Sequence, residues 1–309
     1  MPKPKTVCVI PAYNEEGTIG KVVQDVKSLV DLVIVVDDGS TDATAERARK
    51  AGASVVNTIS NKGLVAAVSR GYLEALRNGA DIIVQTDADN QYDAKDIPRL
   101  VQPIVENKAD LVLGMRTGEG MDLMPSGNKW GNRIASWITS ISAERKIHDA
   151  QTGFRALRRE VLEDAFPVST YTYTQEMIIR AIKNNWRVLE VPAQFNLRIH
   201  GKSRLVKSVI GYAVKDAVVF IRAIVEFRPL LFFGLPGAVL FFAGFVLGLE
   251  LLYGLYLYLA FGVYAERMGT TILSVFLMIS GITAFLMGFL ADHIQTKYLQ
   301  LRNELRKIK

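Results

Sequence analysis

The chain has 309 residues, half of them apolar, with 37 Lys and Arg against 31 Asp and Glu and a net charge of +6. That length suits one sizeable domain plus an appendage. The surplus positive charge gathers beside an apolar block, which favours an anionic membrane surface over nucleic acid, and neither zinc-finger spacing nor a basic block interleaved with aromatics is present.

The N-terminus carries no secretory signal pattern: Lys3 and Lys5 lead straight into a short apolar run. The first domain is therefore expected to stay in the cytoplasm. Thr6–Ile10 predicts a strand, and its Cys8, the only cysteine, reads as a small core residue. Glu15–Leu29 has helical spacing, with Ile19, Val22, Val23, Val26 and Leu29 on one stripe. Leu32–Val36 predicts a strand, and Asp42–Ala51 a helix capped by Thr41 or Asp42. Ser54–Asn57 predicts a third strand, Gly63–Asn78 a helix, Asp81–Thr86 a strand, Ala94–Glu106 a helix and Ala109–Gly114 a strand. This alternation predicts parallel β-α-β units with helices on both faces. Ligands bind such sheets beyond the carboxyl ends of the strands. The polar motifs sit there, after Ile10, Val36, Thr86 and Leu113.

Residues 115–172 are less regular. Five glycines and Pro125 between Gly114 and Gly131 suit a loop. Asn128–Ser142 and Thr174–Lys183 predict helices, and Arg187–Val191 a further strand. From Leu205 to Arg228 apolar residues recur at helical spacing, interrupted by Lys207, Lys215 and Arg222. That is the pattern of a helix lying in a membrane interface, with packing on the soluble domain as the alternative. Pro229–Leu249 runs 21 residues without a charge and Met268–Ala291 runs 24, each enough for one crossing of a bilayer core. The expected organisation is a catalytic domain over 1–204, an interface helix over 205–228, a hairpin of two spans over 229–292 and a basic tail over 293–309. Arg198–Arg228 has seven Lys/Arg against two acids, and His293–Lys309 five against one. The positive-inside rule then puts both flanks in the cytoplasm. Tyr253, Tyr256, Tyr258 and Tyr264 suit the opposite interface, where Glu250 can reach the headgroups. The hairpin could be an anchor alone, or could build a homo-oligomer through Gly281 and Gly288.

The strongest chemical motif is Thr86-Asp87-Ala88-Asp89-Asn90-Gln91. If the backbone stays extended, Asp87 and Asp89 point the same way. Two adjacent carboxylates repel unless a cation lies between them, and hard oxygen ligands suit Mg²⁺ or Mn²⁺ shared with substrate phosphates. Pro11-Ala12-Tyr13-Asn14-Glu15-Glu16 and Asp37-Asp38-Gly39-Ser40-Thr41-Asp42 follow the first two strands. Carboxylates there can take ribose hydroxyls or base N–H groups. Equally, Asn14 and Asp42 could cap helices and Gly39 could make a turn. Asn61-Lys62-Gly63 precedes a helix, and Lys62 could pair with a diphosphate. Neither a P-loop nor a G-x-G-x-x-G fingerprint is present.

Taken in order, P-A-Y-N-E-E, V-V-D-D-G-S-T-D, N-K-G and D-A-D-N-Q resemble glycosyltransferase family 2. The later D-A-Q-T-G-F-R-A-L-R-R-E and G-K-S-R-L are similar to the dolichyl-phosphate mannose and glucose synthase branch. The resemblance covers about residues 5–205. It implies an α/β fold of the GT-A, Rossmann-like type with a mostly parallel sheet, and transfer of a sugar, mannose or glucose, from a GDP- or UDP-linked donor to a polyprenyl or dolichyl phosphate. It implies that Pro11, Tyr13, Glu15 and Asp38 meet the nucleotide, with Asn14, Asp37, Gly39, Lys62, Gly63, Asp87 and Ala88 completing the donor set. Asp87, Asp89 and Gln91 would hold the metal and donor diphosphate. Arg116, Lys129, Arg133, Arg155, Arg198, Lys202, Ser203 and Arg204 are the acceptor-phosphate candidates; the family often has an Arg near Asn128, where this chain has Lys129 and Arg133. Asp89, Arg116 and Glu176 are the catalytic candidates, although Glu176 could also be an ordinary helix-surface residue. His148 and His200 lack partners at ligand spacing and read as structural. The rival classes are weaker. A sugar nucleotidyltransferase would carry a G-x-G-x-R loop, and a processive synthase a Q-x-x-R-W motif and more spans. A hydroxyl acceptor and a non-catalytic nucleotide-sugar-binding role remain as alternatives.

Overall fold

The computed structural model describes residues 3–117, 126–167, 173–196, 228–262 and 268–307, together with Ile221 and Val225. The chain divides into two units, Met1–Val219 and Phe220–Lys309.

In the first unit the apolar runs become a seven-stranded sheet. Its strands are β1 (Thr6–Ala12), β2 (Leu32–Asp37), β3 (Ser54–Asn57), β4 (Ile82–Gln85), β5 (Leu111–Thr117), β6 (Arg155–Arg158) and β7 (Val188–Gln194), in the order β3-β2-β1-β4-β6-β5-β7. Strand alternation sends Val7, Val9, Ile34 and Val36 to one face and Cys8, Ile10, Val33 and Val35 to the other. Both faces are covered, which is why β1 reads as an unbroken apolar run. On one side lie α1 (Ile19–Lys27), α2 (Thr44–Ala51) and α4 (Ile97–Val105). On the other lie α3 (Leu64–Arg77), α6 (Arg159–Ala165) and α7 (Tyr173–Lys183). A further helix, α5 (Ser126–Ala143), precedes β6 in the chain. Cys8 is fully buried, and burial pushes its thiol pKa up.

Pairing is parallel except at β6, which runs antiparallel to both β4 and β5. Neither β6 nor α6 was expected. The strand is only four residues long with an arginine at each end, so its alternation is weak. What makes it a strand is long-range pairing, Ile83 with Leu157 and Val112 with Ala156. Two helix starts also shift. α1 begins at Ile19 because Asn14 takes a left-handed conformation and the following residues form a loop. α2 begins at Thr44, whose N–H bonds to Asp42 at 3.0 Å, so Asp42 makes a tight turn ahead of the helix. At the far end of the sheet Asp110 accepts from the backbone N–H and guanidinium of Arg187, at 2.8–2.9 Å, and lies 3.2 Å from Arg158 Nε.

The second unit contains α8 (Leu235–Phe261), preceded by a wide helical turn over Leu230–Gly234, and α9 (Met268–Lys307). Leu230–Phe261 and Met268–Lys297 are long and apolar enough to cross a membrane. At 1.5 Å per residue the first is about 48 Å long, well beyond a hydrocarbon core of about 30 Å. Both helices therefore overrun the uncharged segments read from sequence, and the basic tail is helical through Lys307. Their outer faces expose large apolar side chains such as Val239, Phe242, Phe276 and Ile279. Where the helices meet, glycine lets them approach: a Cβ on Gly281 would stand 2.5 Å from the Phe241 nitrogen, and one on Gly288 3.1 Å from Phe233 Cβ. These two glycines pack within the hairpin, between its own two helices.

Candidate active site

Three loops gather at the carboxyl ends of β1, β2 and β4, which the sheet register sets side by side. Ala12 stands opposite Asp37, and Val9 opposite Gln85. The first two loops are stitched together by their own polar groups. Asn14 donates its N–H to Ser40 Oγ at 2.9 Å and accepts the Thr41 N–H at 2.8 Å. The Glu15 N–H reaches Thr44 Oγ1 at 2.8 Å, and Glu16 Oε2 accepts the Ala43 N–H at 3.2 Å. Neither Asn14 nor Asp42 is a helix cap; both bridge loops.

The paired aspartates after β2 have distinct partners. Asp37 accepts from the Ser40 N–H and hydroxyl and shapes the turn. Asp38, almost wholly buried, reaches across to the 58–63 loop. It accepts the N–H groups of Lys62 and Gly63, at 3.0 and 2.8 Å, and the Thr58 hydroxyl at 3.2 Å. Gly39 is required between them. Its φ is +73°, and a Cβ there would lie 2.8 Å from the Ser60 carbonyl carbon. A carboxylate offers about four acceptor positions, and Asp38 turns its own toward this loop. The Lys62 side chain is exposed at the loop's rim, Tyr13 is half-buried, and Pro11 lies in β1.

The third loop holds the aspartate pair. β4 ends at Gln85, and a turn follows with Asn90 at φ +61°. Asp87 and Asp89 are therefore placed by a turn, not by the extended alternation read from sequence. Asp89 Oδ1 accepts the Gln91 N–H at 3.1 Å. Asp87 faces the backbone of Gly153, where a Cβ would come within 2.9 Å of its carboxylate oxygen. Gln91 turns toward Asn196: the Asn196 N–H donates to the Gln91 carbonyl at 2.7 Å, and the Gln91 side-chain amide lies 3.4 Å from the Asn196 carbonyl. Among the described residues no cluster of three or more His, Cys, Asp or Glu could hold a metal. Two carboxylates in one turn nonetheless fit a hard divalent cation whose other ligands are phosphate oxygens and water.

Arg116, on β5, pairs with Asp149 through two parallel bonds: Nε to Oδ2 at 2.7 Å and Nη2 to Oδ1 at 2.8 Å. The pair is largely buried, and the Arg116 guanidinium also lies 5.5 Å from the centre of the Phe195 ring. Burial opposes the Arg116 charge, but the Asp149 hydrogen bond and the nearby carboxylates, Asp87 among them, raise its pKa above the usual guanidinium value. Asp149 is itself held from β7, where Glu190 accepts the N–H groups of His148 and Asp149 at 2.9–3.0 Å and pairs with His148 Nδ1 at 2.8 Å. Tyr92 completes the floor: it stacks on Phe154, lies 3.4 Å from both Thr152 Oγ1 and the Gly153 N–H, and has its pKa raised by burial and by Asp87. Asp149, Glu190 and Tyr92 received no role from the sequence. Asp149 lies inside a quoted motif and was the findable one; Glu190 and Tyr92 carry no local signal.

Two expectations are corrected here. Arg155 is fully buried, donates to the Thr152 carbonyl and lies 5.7 Å from the Tyr173 ring centre, so it does not face an acceptor at the surface. Glu176 is no surface residue either: it is fully buried in the first turn of α7 and pairs with Arg180 at 2.5 Å. Arg133 is exposed on α5, and Lys129 half-buried one turn before it. Arg198, His200, Lys202, Ser203, Arg204 and all but three residues of 205–228 lie outside the described residues.

Polar loops at the carboxyl edge, an acidic turn after β4 and one antiparallel strand among parallel ones make this a GT-A fold. The solved structure of glucosyl-3-phosphoglycerate synthase from Mycobacterium tuberculosis, with Mn²⁺, UDP and phosphoglyceric acid, shares this fold at a TM-score of 0.57 and 22% identity, over 72% of this chain and 78% of that one. The model of glycosyl transferase family 2 matches residues 7–166. A dolichyl-phosphate hexose transferase of Haloferax volcanii is 32% identical over 213 residues, 68% of this chain and 91% of that protein. Glycosyltransferase AglJ of the same organism is 28% identical over 323 aligned positions, spanning 100% of this chain and 99% of that one. The chain belongs to glycosyl transferase family 2, and it is a glycosyltransferase.

Proposed function

We propose that this enzyme moves a hexose, mannose or glucose, from a GDP- or UDP-linked donor onto a polyprenyl or dolichyl phosphate at the cytoplasmic face of a membrane, with inversion at the anomeric carbon. The observation that carries the reading is the Asp87–Asp89 turn lying against Gly153 and coupled to the buried Arg116–Asp149 pair. The similarity to a dolichyl-phosphate hexose transferase supports the acceptor. Two apolar helices in the same chain support a membrane location.

In this reading the loops after β1 and β2 bind the nucleoside, with Asp38 holding the 58–63 loop against it. Asp87 and Asp89 would hold Mg²⁺ or Mn²⁺, which would supply positive charge against the donor diphosphate. Arg116 is kept charged and rigid by Asp149, and its remaining N–H donors face developing negative charge. An oxygen of the acceptor phosphate bonds to the anomeric carbon as the bond to the diphosphate oxygen breaks, and the leaving nucleotide takes the electron pair. A phosphate monoester, with a second pKa of about 6, is already largely ionised near neutral pH and needs no strong base. Glu176 then serves as a buried positioning carboxylate. Arg133 and Lys129, with the Arg198–Arg204 segment, remain the acceptor-side candidates.

The test is transfer in detergent. Purified enzyme is incubated with a polyprenyl phosphate, Mg²⁺ or Mn²⁺, and each of several radiolabelled nucleotide-sugars. Label entering the organic phase with one donor, and lost with Asp89→Ala, is the expected result. Metal-dependent nucleotide binding without lipid-linked label for any donor would overturn the acceptor.

A further inference from the structure

Arg155 is the largest fully buried side chain among the described residues. Arginine keeps its charge inside proteins, and burying a charge is costly unless an opposite charge meets it. Other enclosed arginines follow that rule: Arg116 pairs with Asp149, and Arg180 with Glu176. Arg155 does not. Its neighbours on the flanking strands are Gln85 and Leu113, both uncharged. Its Nη2 donates to the Thr152 carbonyl, its Nη1 lies 3.8 Å from Met177 Sδ, and its guanidinium stands 5.7 Å from the Tyr173 ring centre. Its Nε has no hydrogen-bond partner, and among the described residues no carboxylate pairs with it. A buried polar group left in this state calls for a reason, and a role in binding is one.

The neighbours of Arg155 lead to the Asp87 turn. The Thr152 carbonyl that it holds precedes Gly153, where a Cβ would stand 2.9 Å from the Asp87 carboxylate. Gln85, two residues before Asp87, is fixed by two phenols: the Tyr72 hydroxyl donates to its Oε1 at 2.5 Å, and its Nε2 donates to the Tyr173 hydroxyl at 3.0 Å. Burial raises the Tyr173 pKa, the Arg155 charge lowers it and the Asp87 charge raises it, so one hydroxyl feels both charges. We propose that Arg155 is a positioning residue for the donor diphosphate: it holds the Thr152–Gly153 turn behind Asp87, and its unneutralised charge is balanced when a nucleoside diphosphate binds. The inference rests on the metal-and-donor reading of the Asp87–Asp89 turn. In that reading Asp87 and Asp89 would be neutralised by a divalent cation, and Arg116 is already neutralised by Asp149. The diphosphate still needs positive charge, which a guanidinium in a low-dielectric interior supplies without contact. Such a residue gives up stability for function.

The test compares the full chain in detergent with its Arg155→Met and Arg155→Lys variants. Each is melted without ligand, then titrated in Mn²⁺ with GDP, UDP, guanosine and uridine. Arg155→Met, which removes an unpaired buried charge, is expected to melt no lower than the unsubstituted chain. It is expected to bind the preferred nucleoside diphosphate about 10- to 100-fold more weakly, the usual loss when a group supporting a metal site is removed, and to bind the nucleoside equally well. Arg155→Lys, which keeps the charge, is expected to recover most of the diphosphate affinity. A methionine variant that unfolds or melts well below the unsubstituted chain would show that the charge serves the fold, and would overturn the proposal. Equal losses for nucleoside and diphosphate would do the same, since they would report a misshapen pocket. Unchanged diphosphate binding by the methionine variant, or a lysine variant as weak as it, would also sink the idea. If the unsubstituted chain itself shows no Mn²⁺-dependent nucleotide binding, the reading of the Asp87–Asp89 turn fails and takes this inference with it; if it binds and the variants match it, only the inference fails.

Discussion

Arg116 and Asp149 face each other through two hydrogen bonds of 2.7 and 2.8 Å, and Asp149 also lies 3.1 Å from the backbone N–H of Arg116. One carboxylate thus fixes both the side chain and the main chain of the β5 arginine, whose charge also feels the Asp87 carboxylate. Removing it leaves a buried guanidinium without its counter-charge, which costs about 3–5 kcal/mol. Asp149→Ala is expected to lower the unfolding free energy by that order, read from urea denaturation, and to cut sugar transfer. Asp149→Asn, which keeps the shape, is expected to lose transfer while retaining more stability. Equal stability and turnover in all three proteins would remove Asp149 from the site.

Asp89 offers a cleaner loss of function, because it is half-exposed in a turn and carries little of the core. Asp89→Ala is expected to weaken metal-dependent nucleotide binding by more than about 100-fold, as for loss of a group that holds a metal, with an unchanged melting temperature. Calorimetric titration of nucleotide with and without Mn²⁺ measures it. Unaltered binding would place the cation elsewhere.

Gly153 tests whether close approach matters. A Cβ there meets Asp87 at 2.9 Å, and the flexible carboxylate can yield by turning away. Gly153→Ala is expected to keep the fold but reduce turnover at saturating donor, since misplacing a catalytic group by about 1 Å costs roughly 100-fold. Circular dichroism and steady-state kinetics read the two effects separately.

Asp110 predicts a pH dependence. The Arg187 hydrogen bonds hold its carboxyl pKa below the ordinary value of about 3.9, against a smaller effect of burial. A group whose pKa is depressed by folding stabilises the protein above its unfolded pKa and loses that contribution as pH falls through the folded value. Asp110→Asn is therefore expected to destabilise the protein at neutral pH by about 1.5–3 kcal/mol, the range for hydrogen bonds to a charged group. The gap from the unsubstituted protein should narrow below about pH 4. Urea unfolding at pH 7 and at pH 3.5 checks both; a gap that widens on acidification would contradict the ion-pair account.

The sequence by itself determined the alternation of strands and helices through β5, the placing of the polar motifs at strand ends, and the two apolar spans, because each is written in local periodicity or uninterrupted hydrophobicity. It also named the aspartates of the loops after β2 and β4, since their spacing relative to the strands is local. Tertiary structure alone decided the rest. β6 exists because Ala156 and Leu157 pair with residues more than forty positions away. Arg155 read as an acceptor-facing cation and Glu176 as a catalytic or surface carboxylate until packing enclosed both, and the capping alternatives for Asn14 and Asp42 stayed open until two loops met. Glu190 and Asp149 joined the site only when β7 and β5 came together, because a hydrogen-bond partner supplied from a distant strand leaves no mark on the residues around it.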